Sequence, residues 1–241
     1  MARYAFGVPR EQHPGHRSVS GGLARAAVFG ISDGLVSNVS LVIGFAGSGV
    51  GSNVVRLAGI AGAIAGAASM AAGEWVSVSA QNELITREID IERRELHVNT
   101  AAETLELAKI YESHGIEPER AAAAAADVMR RPDAALAVHA REELGVDPGV
   151  LPSAWKAAVL SLVCFIFGAL LPVIPWYVGS GNGAKAASVI IGVVAAALVG
   201  AVIGRSAEKK VWWSSLRQVL ILIVACGVTY LIGSLFNVAV A

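Results

Sequence analysis

Glu88, Glu92 and Glu95 recur at i, i+4 and i+7, a spacing that sets three carboxylates along one stripe of a helix. Glu103 and Glu106 repeat the device at i, i+3, and His139 and Glu143 stand at i, i+4 with Glu142 beside them. Carboxylate oxygens and an imidazole on neighbouring helices form a donor set for a hard or borderline divalent cation. If the helices fold back on one another, the stripes face a shared centre, where like charges repel unless cations or protons compensate. The competing reading is a solvated charged face paired with Arg87, Arg93, Arg94 and Arg141, with Glu103 serving as a helix-capping residue. His13, His16, His97 and His114 read as surface histidines.

A second constellation lies in apolar sequence. Asp33 is the one acid of the first long apolar segment, about 10 Å from its Ala26 end at 1.5 Å per residue. An ionisable side chain at that depth in a bilayer is costly and marks an ion pathway or a proton site. Met70, in the next apolar segment, lies at a similar depth counted from Ser77, and Glu74 follows at i+4 on the same helical face. A carboxylate and a thioether at matching depth, with Ser32, Ser37 and Asn38 nearby, suit a partly dehydrated transition metal. The thioether favours Fe²⁺-like ions over Mg²⁺ or Ca²⁺. Glu74 is a candidate third member. The bland alternatives are ordinary packing for Met70 and capping of a broken helix for Asp33.

The elements that must position these residues are legible in composition. A mean hydropathy of +0.60 and a hydrophobic content of 55% exceed what a soluble domain needs. At roughly 20 apolar residues per crossing, five spans are expected, near 24–48, 54–79, 154–178, 184–204 and 212–238. Residues 81–150 hold fifteen of the nineteen carboxylates. The fold class is therefore all-α: a five-span transmembrane bundle with a cytoplasmic, acidic insert of three to four helices between spans two and three. Its parts are an N-terminal cytoplasmic tail (1–23), spans one and two (24–80), the acidic metal-binding helical domain (81–150) and spans three to five (151–241). No apolar run precedes the first span, so no signal peptide is expected. Lys and Arg cluster in the tail, the insert and the 205–217 region, leaving Arg56 and Lys185 on the other side. The N-terminus and insert are thus placed inside and the C-terminus outside.

No proline falls between Ala58 and His97, and no glycine after Gly73, so the second span is expected to continue into the insert as one helix. Thr100 to Glu103 has capping-box spacing, predicting a helix from there to His114-Gly115. Pro118 opens another, Arg131-Pro132 breaks it, and a last one runs to Gly145. Pro172 and Pro175 are expected to kink the third span. Gly30 with Gly34, Gly62 with Gly66 and Gly200 with Gly204 form GxxxG pairs, read either as tight packing within one bundle or as a homodimer face. Cys164 and Cys226 fall inside spans without a CxxC partner, against a disulfide framework or thiolate site. There is no HExxH, GxSxG, P-loop or Glu-x-x-His signature, so the chain does not read as an enzyme. Nothing points to nucleic acid.

Asp33-Gly34, the run Ser69-Met70-Ala71-Ala72-Gly73-Glu74-Trp75-Val76-Ser77 and the acidic insert after it together resemble the vacuolar iron transporter family, from about residue 25 to the C-terminus. The resemblance implies a five-span dimer that moves Fe²⁺, and often Mn²⁺, out of the cytosol in exchange for protons. It places the family's pathway aspartate on Asp33 and its methionine on Met70. The Glu-x-x-Glu pairs of the insert fall on Glu92 with Glu95 and on Glu103 with Glu106, and the last-helix glutamate on Glu143. Two departures stand out: His139 and Ala140 replace the methionines of plant members, and the outer ends of spans one and two carry no carboxylate.

The leading expectation is a proton-coupled exporter of Fe²⁺, with Mn²⁺, Co²⁺ and Zn²⁺ unranked beside it because oxygen-rich sites follow availability and geometry. Metal is then substrate and regulatory ligand; no catalytic cofactor is expected. The partners are metal ions, protons, the bilayer and a second copy of the chain. The rival is a membrane-anchored metal-binding or sensing protein that transports nothing. The Ala- and Gly-rich composition points to a bacterial plasma membrane, or a vacuolar-type membrane in a eukaryote.

Overall fold

The computed structural model describes residues 22–236; residues 1–21 of the expected tail and the end of the expected fifth span lie outside them. Among the described residues every regular element is helical. The order is α1 (Gly22–Gly47), α2 (Ser52–Val98), α3 (Thr100–Ser113), α4 (Pro118–Met129), α5 (Pro132–Glu142), α6 (Ala154–Leu170), a 3₁₀ turn (Leu171–Val173), α7 (Pro175–Val178), α8 (Gly181–Ser206) and α9 (Val211–Phe236). Five stretches are long and apolar enough to cross a membrane: α1, the first part of α2, Ala154–Val178, α8 and α9.

Helix α1 is the centre of the bundle and packs against α2, α6, α8 and α9. Its small residues set the distances. A Cβ on Gly30 would come within 2.8 Å of the Ser161 carbonyl of α6, and one on Gly34 would overlap the Phe165 backbone. Gly62 and Gly66 of α2 face Asn38 and the Phe165 ring, and Gly200 of α8 lies against the Ser214 and Ser215 backbone of α9. All three GxxxG pairs therefore contact neighbours within the same chain, as the tight-packing reading expects.

Pro172 and Pro175 break the third span into α6, the 3₁₀ turn and α7. A prolyl nitrogen carries no hydrogen, so carbonyls before it lose their helical donors, and in lipid they need others. Asn38 Nδ2 supplies one to Ala169 O at 2.5 Å, and Ser188 Oγ another to Pro172 O at 2.7 Å while accepting from Trp176 Nε1.

Helix α2 has no proline and runs unbroken for 47 residues, about 70 Å. Its apolar part ends near residue 79; the remainder forms one wall of the acidic domain. There α3 packs on α4, and α5 on both α4 and α2, around Leu107, Ala108 and Ala125. Thr100 does not cap α3. Asn99 holds the cap position, and the Thr100 hydroxyl donates to Leu96 O of α2 at 2.7 Å. The capping role expected for Glu103 is thereby absent, and its side chain is free to turn inward.

Candidate metal centres

Within the acidic domain one glutamate of each stripe turns to the interior. Glu92 of α2, Glu103 of α3, and His139 and Glu143 at the end of α5 bring one ligand atom each to within 4.8 Å of all the others. His139 is fully buried, and its Nδ1 lies 2.8 Å from Glu143 Oε1, 3.1 Å from Glu92 Oε1 and 3.8 Å from Glu103 Oε2. Donors around a tetrahedral transition metal stand about 3.4 Å apart, a value that the spacings around His139 bracket. Glu92 Oε1 and His139 Nε2 are buried and have no hydrogen-bond partner.

The periodicity explains which acids are left out. At 100° per residue, Glu88 and Glu95 diverge from Glu92 by about 40° and 60° toward the same side, and Glu106 leaves Glu103 by about 60°. Glu95, Glu106 and Glu142 are exposed; Glu142 lies 3.8 Å from His114 instead. The arginines of the solvated-face reading are engaged elsewhere. Arg87 pairs with Glu88, Arg93 with Asp90 and Arg141 with Asp147, and Arg94 donates to the Asp90 carbonyl. Among the described residues no Arg or Lys pairs with the inward cluster, whose one basic side chain is His139. Burial raises the Glu92 carboxyl to about 7, the Glu143 charge adds to this, His139 opposes it, and Glu103 and Glu95 contribute smaller upward pushes. Burial also raises Glu103, with Glu106 adding and His139 opposing. The two exposed glutamates thus act on the cluster through their field.

The second centre lies between α1 and α2. Asp33, Ser37, Asn38, Leu41, Gly62, Gly66, Ser69, Met70 and Phe165 line a cleft of about 390 Å³. Asp33 and Met70, paired from sequence by depth alone, therefore share one space. Ser37 is occupied with its own helix, donating to Asp33 O at 2.5 Å. Ser32 faces a neighbouring cleft with Arg25, Gln218 and Asp33. Glu74 does not line the Asp33–Met70 cleft. It is buried, and both its oxygens accept from Arg25 Nη2 at 3.0 Å. The i, i+4 face it shares with Met70 spans a 40° offset, enough to turn it toward Arg25 at the acidic-domain end of α1. Sequence reasoning had no signal for that partner, because Arg25 reads as one more juxtamembrane cation.

A multispan helical bundle with a polar cleft at Asp33 and Met70, continuous through one helix with an acidic, histidine-containing domain, defines a membrane protein with two cation-suited centres. The VIT family model matches residues 24–234. The chain is 29% identical over 212 residues to vacuolar iron transporter 1 of Eucalyptus grandis, covering 88% of this chain and 85% of that protein. To vacuolar iron transporter 1 of Oryza sativa subsp. japonica it is 27% identical over 231 residues, 95% and 92% of the two chains. Vacuolar iron transporter homolog 3 of Arabidopsis thaliana matches at 32% over 218 residues, 87% and 83%. The protein belongs to the VIT family.

Proposed function

We propose that this chain exports a divalent transition metal, Fe²⁺ foremost with Mn²⁺, Co²⁺ or Zn²⁺ as further cargo, from the cytosol in exchange for protons. The observation that carries this reading is the placement of Asp33 and Met70, from two different helices, on one cleft at the depth of the spans. A sensor that transports nothing has no use for a carboxylate there. Asp33 compensates the charge of a partly dehydrated cation and exchanges it for a proton; Met70 supplies a soft donor. Glu92, Glu103, His139 and Glu143 collect metal on the cytoplasmic side and deliver it toward the cleft along α2, with Glu95 and Glu106 strengthening their field.

The working unit is a homodimer. Asp33 and Ser37 are exposed in the single chain, and a charged side chain facing lipid at this depth is unfavourable. A second copy laid against the α1–α2 face removes that exposure. The N-terminus and acidic domain are cytoplasmic, in a bacterial plasma membrane. Support comes from Trp155, Trp212 and Trp213, at the acidic-domain ends of their helices, and from Trp75, near the end of the apolar part of α2; Lys156, Lys209 and Lys210 neighbour them in sequence, as interfacial anchors on a positive inner face do.

The test is Fe²⁺ flux in proteoliposomes under an imposed pH gradient, comparing the wild type with Asp33→Asn at equal density. Asn keeps size and hydrogen bonding but supplies neither charge nor an exchangeable proton, so flux should be lost while insertion is retained. Near wild-type flux in the variant would overturn the pathway.

A further inference from the structure

Asn38 is 2% exposed and sits one helical turn beyond Gly34 on α1. Its amide nitrogen is fully used, with one hydrogen to Gly59 O of α2 at 3.0 Å and one to Ala169 O of α6 at 2.5 Å. These bonds fix the orientation of the side chain, because an oxygen turned toward two carbonyls would be repelled by both. The carbonyl oxygen, Oδ1, is consequently held on the opposite edge, where it is buried and has no hydrogen-bond partner. A buried amide oxygen left unmatched is costly, and such a group calls for a ligand.

The surroundings of Oδ1 say which. Asn38 lines the same cleft as Asp33 and Met70. Gly62, across the cleft on α2, lies directly against Oδ1: a Cβ there would come within 2.8 Å of it. The nearest donors of hydrogen bonds on the cleft wall are hydroxyls, and Ser37 has turned its own toward Asp33 O. What remains around the cleft is the Ser69 hydroxyl together with a carboxylate, a thioether and a preoriented neutral oxygen, all four able to offer an electron pair.

We propose that Asn38 Oδ1 is a third ligand of the membrane cation site, and that it sets the ion preference of this chain. The inference rests on the Asp33–Met70 pathway reading. A neutral amide oxygen adds a donor without adding charge, so Asp33 alone exchanges the proton, and the site keeps the low charge that lets a divalent ion leave again. Because the amide nitrogen ties α1 to both α2 and α6, the ligand is positioned by the same bonds that close the kinked third span. A hard oxygen beside a soft sulfur also admits intermediate ions in preference to either extreme.

The test is metal flux through reconstituted full-length Asn38→Ala and Asn38→Asp, with Fe²⁺ and Mn²⁺ as cargo and thermal unfolding measured in parallel. Both substitutions lose the two donated hydrogen bonds, and Asp also buries a charge, so a purely structural residue predicts Asn38→Asp at least as impaired as Asn38→Ala in stability and transport alike. A ligand predicts the opposite order for affinity. Asn38→Ala should raise KM about tenfold, within the range of single coupled interactions, while Asn38→Asp should bring it back to or below the wild-type value and favour Mn²⁺ over Fe²⁺. If either variant fails to insert, Gly62→Ala reads the same oxygen by crowding it, and should raise KM for both ions. Unchanged KM in folded variants, or affinity and stability falling together with Asp no better than Ala, would overturn the proposal. Loss of flux in Asp33→Asn alongside wild-type KM in the Asn38 variants would sink the ligand role alone; normal flux in Asp33→Asn would sink the pathway on which it rests.

Discussion

Protons and metal should compete in the acidic domain over a narrow and unusual range of pH. The Glu92 carboxyl sits at about 7, so it is about nine-tenths ionised at pH 8 and one-tenth at pH 6. A cation bound at Glu92 must displace that proton, and the apparent affinity should fall about tenfold between pH 8 and pH 6 from this group alone. A carboxylate at its ordinary value near 4.5 would give a change of only a few per cent over the same interval. The measurement is calorimetric titration of Co²⁺ into full-length Asp33→Asn protein, which removes the membrane site, in two buffers of different ionisation enthalpy at each pH. About one proton should be released per metal near pH 6. Glu92→Gln should bind more weakly at pH 8 and lose most of the remaining decline toward pH 6. An affinity flat from pH 8 to pH 6, or a variant that keeps the full wild-type slope, would refute the reasoning.

The same shift makes the metal-free fold pH-sensitive. Between about 4.5 and 7 the folded chain holds a Glu92 proton that the unfolded chain has lost, so stability falls as pH rises through that window, by at most about 3 kcal/mol before solvent screening. Thermal unfolding of metal-free protein should therefore show a lower midpoint at pH 8 than at pH 5, with Co²⁺ restoring it at pH 8; the reverse order would contradict the burial argument. Met70→Ala should reduce Fe²⁺ flux less than Asp33→Asn does, because a thioether supplies selectivity more than charge compensation, and equal losses in the flux assay would argue against that division. A combined Glu→Gln change at Glu92, Glu95, Glu103, Glu106 and Glu143 should lower flux at low metal and recover in part at high metal. Complete loss at every metal concentration in folded protein would make the acidic domain an obligatory step.

The five spans were legible because apolar length is a sequence property, and the unbroken α2 because nothing between Gly73 and His97 can interrupt a helix. Asp33 and Met70 were paired by counting residues from the ends of two spans, and the cleft between α1 and α2 contains both. Orientation was much less legible. Glu92 and Glu95 are equivalent in the sequence, yet one is buried and the other exposed, since only the packing of α5 on α2 decides which side is inward. Thr100 has an ideal cap spacing but bonds backward to Leu96, which a local pattern cannot reveal. Asn38 read as one polar neighbour among several. Its significance depends on where the carbonyls of Gly59 and Ala169 lie, and the second of these is 131 residues away.

Helix α2 carries a member of each centre on a single rigid rod. Twenty-two residues separate Met70 from Glu92, about 33 Å of axis and six turns plus about 40°. The two side chains therefore project in nearly the same angular direction from opposite ends of the bilayer boundary. Rolling the helix by about 30° would sweep a side chain 5–6 Å from the axis through roughly 3 Å, about the breadth of a coordination bond with some slack. Both donors would sweep the same way at once, as lobes on one camshaft do. On the proposed reading, an ion gripped at Glu92 would fix an angle for Met70, and the two centres would communicate by rotation rather than by displacement along the chain.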